Sequence, residues 1–235
     1  MVFCIPGGGV ANTIVYIDGL NLYYRVLKGT THKWLDLEAF CHALLPPPAK
    51  IVRINFYTAR VSSKVDATAP AKQQAYLSAL ETLPLVRIHL SEFTVKEKWA
   101  KLVQPPTFKP SGTLGAGDAP IVAKIVKTEE KGSDVKLGAH LVRDAFTDAF
   151  EEAAILTNDT DLEEPIRIVT EERRKRVTLI SPVRRPAVSL VRYATHLRHI
   201  GHRASACQFP DTITGADGHL IHKPPDWFPV AETTP

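Results

Sequence analysis

Thr13-Ile14-Val15-Tyr16-Ile17-Asp18-Gly19-Leu20-Asn21-Leu22-Tyr23-Tyr24 is an apolar, β-branched run that ends abruptly in a polar turn. It reads as a buried parallel strand, and Gly19 lets the backbone bend sharply at its end. Open α/β sheets bind ligands at the carboxyl ends of their central strands, so Asp18 stands where a functional carboxylate belongs. Asn21 adds a neutral oxygen and two N–H donors beside it. The same aspartate also reads as the N-cap of the helix that follows. Two later acidic clusters weigh toward the functional reading.

Outward from this strand, helix and strand periodicities alternate. Helical spacing over 34–45 stops at Pro46-Pro47-Pro48, and 51–60 then reads as a strand. Alanine-rich 71–83 reads as a helix, and 85–95 as a strand that runs through a turn into 99–103. The stretch 104–120, rich in proline and glycine, has the composition of an exposed loop and lacks the Gly-Lys-Ser/Thr ending of a phosphate-binding loop. A strand over 121–127, a helix over 134–150, a short buried strand over 153–157, a helix over 162–172, a strand over 177–180 and a last helix over 187–199 follow. This order predicts an α/β fold with a mostly parallel central sheet and helices on both faces. The expected organisation is an extension over 1–11, one domain over 12–200, and a tail over 201–235 packed on it through Trp227 and Phe228.

Composition narrows the class. Hydrophobic residues at 44% and charged residues at 23% argue against wholesale disorder and fibrous repeats. The three cysteines are widely spaced with no Cys-x-x-Cys pair, so neither a disulfide framework nor a zinc site is indicated. The amino terminus lacks the pattern of a signal peptide, and no stretch is apolar for long enough to span a bilayer. A soluble, cytoplasmic protein without a membrane partner is expected. The net charge of +4 agrees with a polyanionic partner without proving one.

The chemistry lies in the carboxylates. Asp18, Asp134, Asp159 and Asp161 all fall in turns or at helix starts, and the turns after the first strand and after 153–157 can face each other across the sheet. Carboxylates gathered in one cleft oppose each other's ionisation, and a divalent cation removes that conflict. All-oxygen ligation suits magnesium or manganese, whereas zinc prefers His or Cys. The fitting reaction is phosphodiester hydrolysis by a water that the metal activates. His196, His199 and His202 recur at three-residue spacing but have no acidic partner nearby in sequence, and they read as a solvated edge.

Three motifs resemble the NYN domain family of PIN-like nucleases, also described as LabA-like: Tyr16-Ile17-Asp18-Gly19-Leu20-Asn21-Leu22, Glu130-Lys131-Gly132-Ser133-Asp134-Val135, and Thr157-Asn158-Asp159-Thr160-Asp161-Leu162. The tail, through Gln208-Phe209-Pro210 and Lys223-Pro224-Pro225-Asp226-Trp227, is similar to bacterial members. The resemblance implies a Rossmann-like PIN fold, a Mg2+ or Mn2+ site, and RNA as substrate. It makes Asp18, Asp134, Asp159 and Asp161 the catalytic and metal-binding carboxylates, with Asn21 a catalytic positioning residue and Glu130 a weaker addition. Lys131, Lys136, Arg143, Arg173, Arg174 and Arg185 are the cations expected to meet backbone phosphates without reading sequence. The expectation is therefore a divalent-metal-dependent endoribonuclease acting on RNA, single-stranded RNA among its forms and DNA also open, with a homodimer allowed. The alternative is a catalytically weak, nucleic-acid-binding regulatory protein on the same PIN-like fold.

Overall fold

The computed structural model describes residues 11–63, 66–103 and 122–229. Most of the amino-terminal extension and the glycine-rich stretch 104–120 lie outside the described residues. In chain order the main elements are β1 (Ala11–Asp18), α1 (Gly19–Leu22), α2 (Leu37–Leu44), β2 (Ala49–Arg60), α3 (Ala69–Glu81), β3 (Val86–Lys101), β4 (Val122–Lys131), α4 (Ser133–Phe146), β5 (Glu152–Leu156), α5 (Glu163–Arg167), β6 (Arg176–Ser181), α6 (Val188–Tyr193), β7 (His196–His199), α7 (Arg203–Ala206), β8 (Thr212–Thr214) and β9 (Leu220–His222). The first seven strands form one sheet in the order β4-β3-β2-β1-β5-β6-β7, with every pairing parallel except β3 with β4. This is the mostly parallel α/β sheet the alternation of periods predicts.

β1 is the middle strand, and its period-two alternation serves two cores. Val15 and Ile17 pack with Trp34, Phe40, Ile54 and Leu80 on the face covered by α2 and α3. Ile14 and Tyr16 pack with Leu137, Leu141, Ile155 and Leu179 on the face covered by α4 and α5. Burial on both faces explains the unbroken apolar character of the strand. Its register against β5 pairs Ile17 with Leu156, which leaves Asp18 level with Thr157 just beyond the two strand ends.

Three features differ from the sequence reading. β3 and β4 form one long antiparallel ribbon, paired from Glu92 with Lys131 to Lys101 with Val122, so no turn interrupts β3 before Trp99. Residues 187–199 are not one helix: α6 stops at Tyr193 and the chain becomes β7. The unpaired edge of β6 captures the segment, since Thr195 N donates to Val177 O (2.7 Å) and Val177 N donates to Thr195 Oγ1 (3.1 Å). Ladder hydrogen bonds available there outweigh a marginal helical propensity. In the tail, Trp227 is 9% exposed and meets Trp34 at 6.1 Å between ring centroids, whereas Phe228 is 39% exposed and anchors little. Trp34 Nε1 also donates to Pro210 O (2.8 Å), and Phe209 packs on the same indole. Among the described residues, no helix is long and apolar enough to cross a membrane.

Candidate active site

Asp18 ends β1 and caps α1, as the helix-cap reading expects. Its Oδ1 accepts from Asn21 N (2.9 Å), and its Oδ2 accepts from Asn21 Nδ2 (2.6 Å) and from Thr157 Oγ1 (3.0 Å). Three hydrogen bonds to the charged form pull its pKa down, yet burial outweighs them and holds it above the ordinary aspartate value. Gly19 follows because nothing larger fits: a Cβ there would sit 2.5 Å from Tyr57 O and 2.8 Å from the Phe56 ring. α1 therefore starts hard against β2, and the Asp18 carboxylate is fixed by backbone packing as well as by hydrogen bonds.

Asp134 arrives from the other side of the cleft. Gly132, at φ +95°, reverses the chain between β4 and α4, a conformation that favours glycine. Glu130 then accepts from Ser133 N (2.8 Å) and supplies the cap that Gly132 cannot. Asp134 sits in the first turn of α4, where the helix dipole favours a negative charge. Burial, followed by the charges of Asp18, Asp159, Glu130 and Asp161, nevertheless pushes it up to about 6.

Asp159 completes the group from the turn after β5. Thr157, fully buried, bridges the two strand ends: it donates to Asp18 and accepts from Asp159 N (3.0 Å). One ligand oxygen from each of Asp18, Asp134 and Asp159 lies within 4.8 Å of the others, a group able to hold a metal ion. The hard, anionic, all-oxygen donor set and its mutual repulsion are the chemistry a small divalent cation resolves. Motif reading gave Thr157 no part in linking the turns after β1 and β5. Its signal is a hydroxyl ending an otherwise apolar buried strand.

The remaining expected residues divide by position. Asp161 is exposed and outside the three-carboxylate group; its N donates to Asp159 Oδ1 (3.0 Å), and it lines an open cavity of about 590 Å3 with Glu130, Asp134 and Lys131. Asn21 is committed to Asp18 through both its nitrogens. Lys131 is exposed at the same end and pairs with Glu129 (3.2 Å), and Lys136 donates to Leu90 O (2.6 Å). Arg143, about two and a half turns down α4 from Asp134, donates twice to the buried Asp144 (3.0 and 2.7 Å), which also receives Tyr16 Oη (2.8 Å) and Arg53. Arg173 reaches Asp148 (3.2 Å) beyond the far end of α4, and Arg174 follows it in the turn before β6. These two lie at the amino-terminal end of the parallel strands, because α4 and the helical stretch leading from α5 run antiparallel to the strands and carry their last turns away from the carboxylates. Arg185, exposed, follows β6.

Lys136, His140 and Arg143 recur at helical spacing on α4 and face His89 and Arg53. Burial and this positive surround push His89 down to about 4 and His140 below the ordinary histidine value. Tyr57 stacks on His89 at 4.6 Å and meets His140 Nδ1 at 3.0 Å. The result is a line of basic side chains from the carboxylate end of α4 toward its carboxyl terminus, in which the charged forms of the two histidines are disfavoured and Arg53 and Arg143 share the Asp144 carboxylate.

A mostly parallel sheet with an acidic cluster beyond the central strand ends, able to hold a metal ion, defines an α/β domain of the PIN-like kind. The NYN domain model matches residues 12–201, and the chain belongs to the NYN domain family, a family of PIN-like nucleases. Over 244 aligned residues the chain is 29% identical to 6-hydroxy-3-succinoylpyridine 3-monooxygenase HspA of Pseudomonas putida (strain DSM 28022 / S16), covering 92% of this chain and 75% of the relative. The crystal structure of a protein of unknown function from Vibrio parahaemolyticus RIMD 2210633 superposes with a TM-score of 0.52 at 14% identity, covering 85% of this chain and 98% of the other. That likeness concerns the fold alone.

Proposed function

We propose that this protein is a divalent-metal-dependent endoribonuclease, with Mg2+ or Mn2+ held by Asp18, Asp134 and Asp159. The observation that carries the reading is the convergence of these three carboxylates from β1, α4 and the turn after β5. When bound, the divalent ion supplies Lewis acidity, which lowers the pKa of a coordinated water and offsets charge developing on the phosphoryl oxygens. The chain's own residues do the rest. Thr157 and Asn21 hold the Asp18 carboxylate in one orientation. Asp134, from the first turn of α4, closes the group from the side opposite Asp18. Asp161 and Glu130 border the cavity that opens onto the group.

Lys131, Lys136 and Arg143, exposed along the α4 side of the carboxylates, favour a polymer over a mononucleotide, a pattern suited to successive backbone phosphates. Such contacts are independent of sequence, and RNA is the substrate we assign on the strength of the family.

A second reading follows from the relative's name and from an aromatic cleft beside Asp18: hydroxylation of a pyridine ring, which would consume dioxygen and a reductant. The two are separable in one preparation. Labelled single-stranded RNA is incubated with Mg2+ or Mn2+, with chelator, and with chelator followed by excess metal, using wild type and Asp159→Asn. In parallel, 6-hydroxy-3-succinoylpyridine is incubated with air and NADH. Metal-dependent cutting lost in Asp159→Asn supports the nuclease. Binding of RNA without cutting of any RNA or DNA tried leaves the regulatory-protein alternative, and a hydroxylated pyridine product overturns our assignment.

A further inference from the structure

On the other side of the Asp18 turn from α4 lies a cleft of about 230 Å3 whose lining includes six aromatic rings among aliphatic and polar residues. Phe56, Tyr76 and Trp227 form its floor, with Phe56 and Tyr76 edge to face at 6.4 Å and Tyr76 and Trp227 at 6.2 Å. Tyr23, 39% exposed, and Phe93 stand at its sides. Its inner wall is Gly19 and Leu20, the two residues that follow Asp18 in the chain. A second seam joins it to the carboxylates: Phe93 lines the cleft, its cross-strand partner Glu130 lines the cavity beside Asp134, and directly paired residues share one face of an antiparallel ribbon. The rim is polar. Lys72 and Asp226 form an ion pair there, and Lys33 lies 6.0 Å from the Trp227 ring centroid.

We infer that this cleft seats one planar nitrogen-heteroaromatic ring, the base of the nucleotide whose phosphate lies at the carboxylate group. The inference deepens the nuclease reading and rests on it. Flat aromatic walls accept any base through its π-face. The Lys72–Asp226 pair offers one donor and one acceptor to the ring's edge, the complement that nitrogen heterocycles carry and aliphatic chains lack. A cleft of this size takes a single base. It belongs to the domain and the tail together, because Trp227 and Asp226 come from the segment after β9 while the other walls come from β2, α3, β3 and the residues after β1.

The test is made first in chelator, where nothing is cleaved. Adenosine and uridine 5′-monophosphates are titrated by calorimetry into wild type, Ala69→Phe, which fills the cleft from a partly exposed position, and Tyr23→Ala, which removes one exposed wall. Both variants are checked by circular dichroism and melting. Loss of base stacking predicts binding weaker by about tenfold or more in Ala69→Phe. With metal restored, an RNA carrying one abasic nucleotide at the scissile position is predicted to be cut with a KM raised by about the same factor. Unchanged nucleotide affinity in folded Ala69→Phe and Tyr23→Ala overturns the inference, as does equal cutting of the abasic RNA. Binding of 6-hydroxy-3-succinoylpyridine in the cleft with no binding of either nucleotide also overturns it, by assigning the ring to a free acid. Nucleotide binding that is lost on filling the cleft, in a protein that cuts no RNA, supports the ring site and removes the nuclease reading instead.

Discussion

Replacing Asp134 by Asn is expected to stabilise the metal-free protein and to abolish its response to metal. Asp134 is raised from the ordinary 3.8 to about 6, so its ionised form is less favourable in the folded chain than in the unfolded one. At about 1.36 kcal/mol per pKa unit, the cost of ionisation is capped at about 3 kcal/mol. The side chain is half exposed, and solvent screening reduces this to about 1–1.5 kcal/mol. Losing a carboxylate from the first turn of α4 takes back roughly 0.3–1 kcal/mol. The net gain for Asp134→Asn at pH 8 in chelator is then about 0–1 kcal/mol, or a melting temperature higher by up to about 4 °C for a chain of this size. Because the folded pKa is raised, the contribution of Asp134 to wild-type stability falls as pH climbs from about 4 to 6 and is level above that, so the difference between variant and wild type grows across the same window and vanishes below it. Divalent metal reverses the order: at 100 times its dissociation constant it stabilises wild type by about 2.7 kcal/mol, roughly 5–10 °C, and the variant by far less. Scanning calorimetry at pH 4, 6 and 8, with chelator and with Mn2+, measures all of this. A variant less stable than wild type at pH 8 in chelator, or a wild type unmoved by Mn2+ and Mg2+, would refute the reasoning.

Other perturbations have equally direct readouts. Thr157→Val removes the hydroxyl that joins Asp18 to Asp159 N, and metal affinity measured by calorimetry is expected to fall about 10–100-fold with a stability loss of about 1–2 kcal/mol. Gly19→Ala drives a methyl into Tyr57 O, so chemical denaturation is expected to show a loss of at least about 2 kcal/mol, with weakened metal binding as α1 shifts. Trp34→Ala leaves a void where Phe209, Trp227 and Tyr76 meet; a loss of about 3–5 kcal/mol is expected, with limited proteolysis cutting first in the segment after Ile200. Asp144→Ala strands the Arg53 guanidinium against the sheet and is expected to cost about 3 kcal/mol while leaving Mn2+ affinity within about twofold, because it lies away from the three carboxylates.

The parts of this molecule legible in its sequence are those governed by local pattern. A β-branched run interrupted by Asp-Gly had to be a buried strand with a turn at its end, and the Ala153–Thr157 segment followed by Asn-Asp repeated that signature. Two such strands paired in parallel bring their carboxyl ends together, which is why Asp18 and Asp159 meet, and a helix start carrying Asp134 beside them follows from the motif order. What was not legible depended on partners distant in sequence. The 196–199 segment becomes a strand because β6 offers it an edge, information absent from its own residues. Trp34 owes its burial to Pro210 and Trp227, nearly two hundred residues away. The cations at 173 and 174 look like a phosphate patch in sequence, but the direction of the helices carries them to the opposite end of the sheet, where Asp148 pairs with Arg173. Thr157 and the aromatic cleft went unseen for the same reason: one joins a carboxylate and a backbone amide from the ends of two different strands, and the other is assembled from five separated segments.

The central claim is that water attacks phosphorus at the Asp18–Asp134–Asp159 group. The most direct measurement is a single-turnover cleavage of RNA in 18O-labelled water with Mn2+, reading the product termini by mass spectrometry for wild type and for folded Asp18→Asn. The account predicts one labelled oxygen in the terminal phosphate of the wild-type product and no cleavage by the variant. A cyclic phosphate without label, or undiminished cleavage by Asp18→Asn, would contradict it.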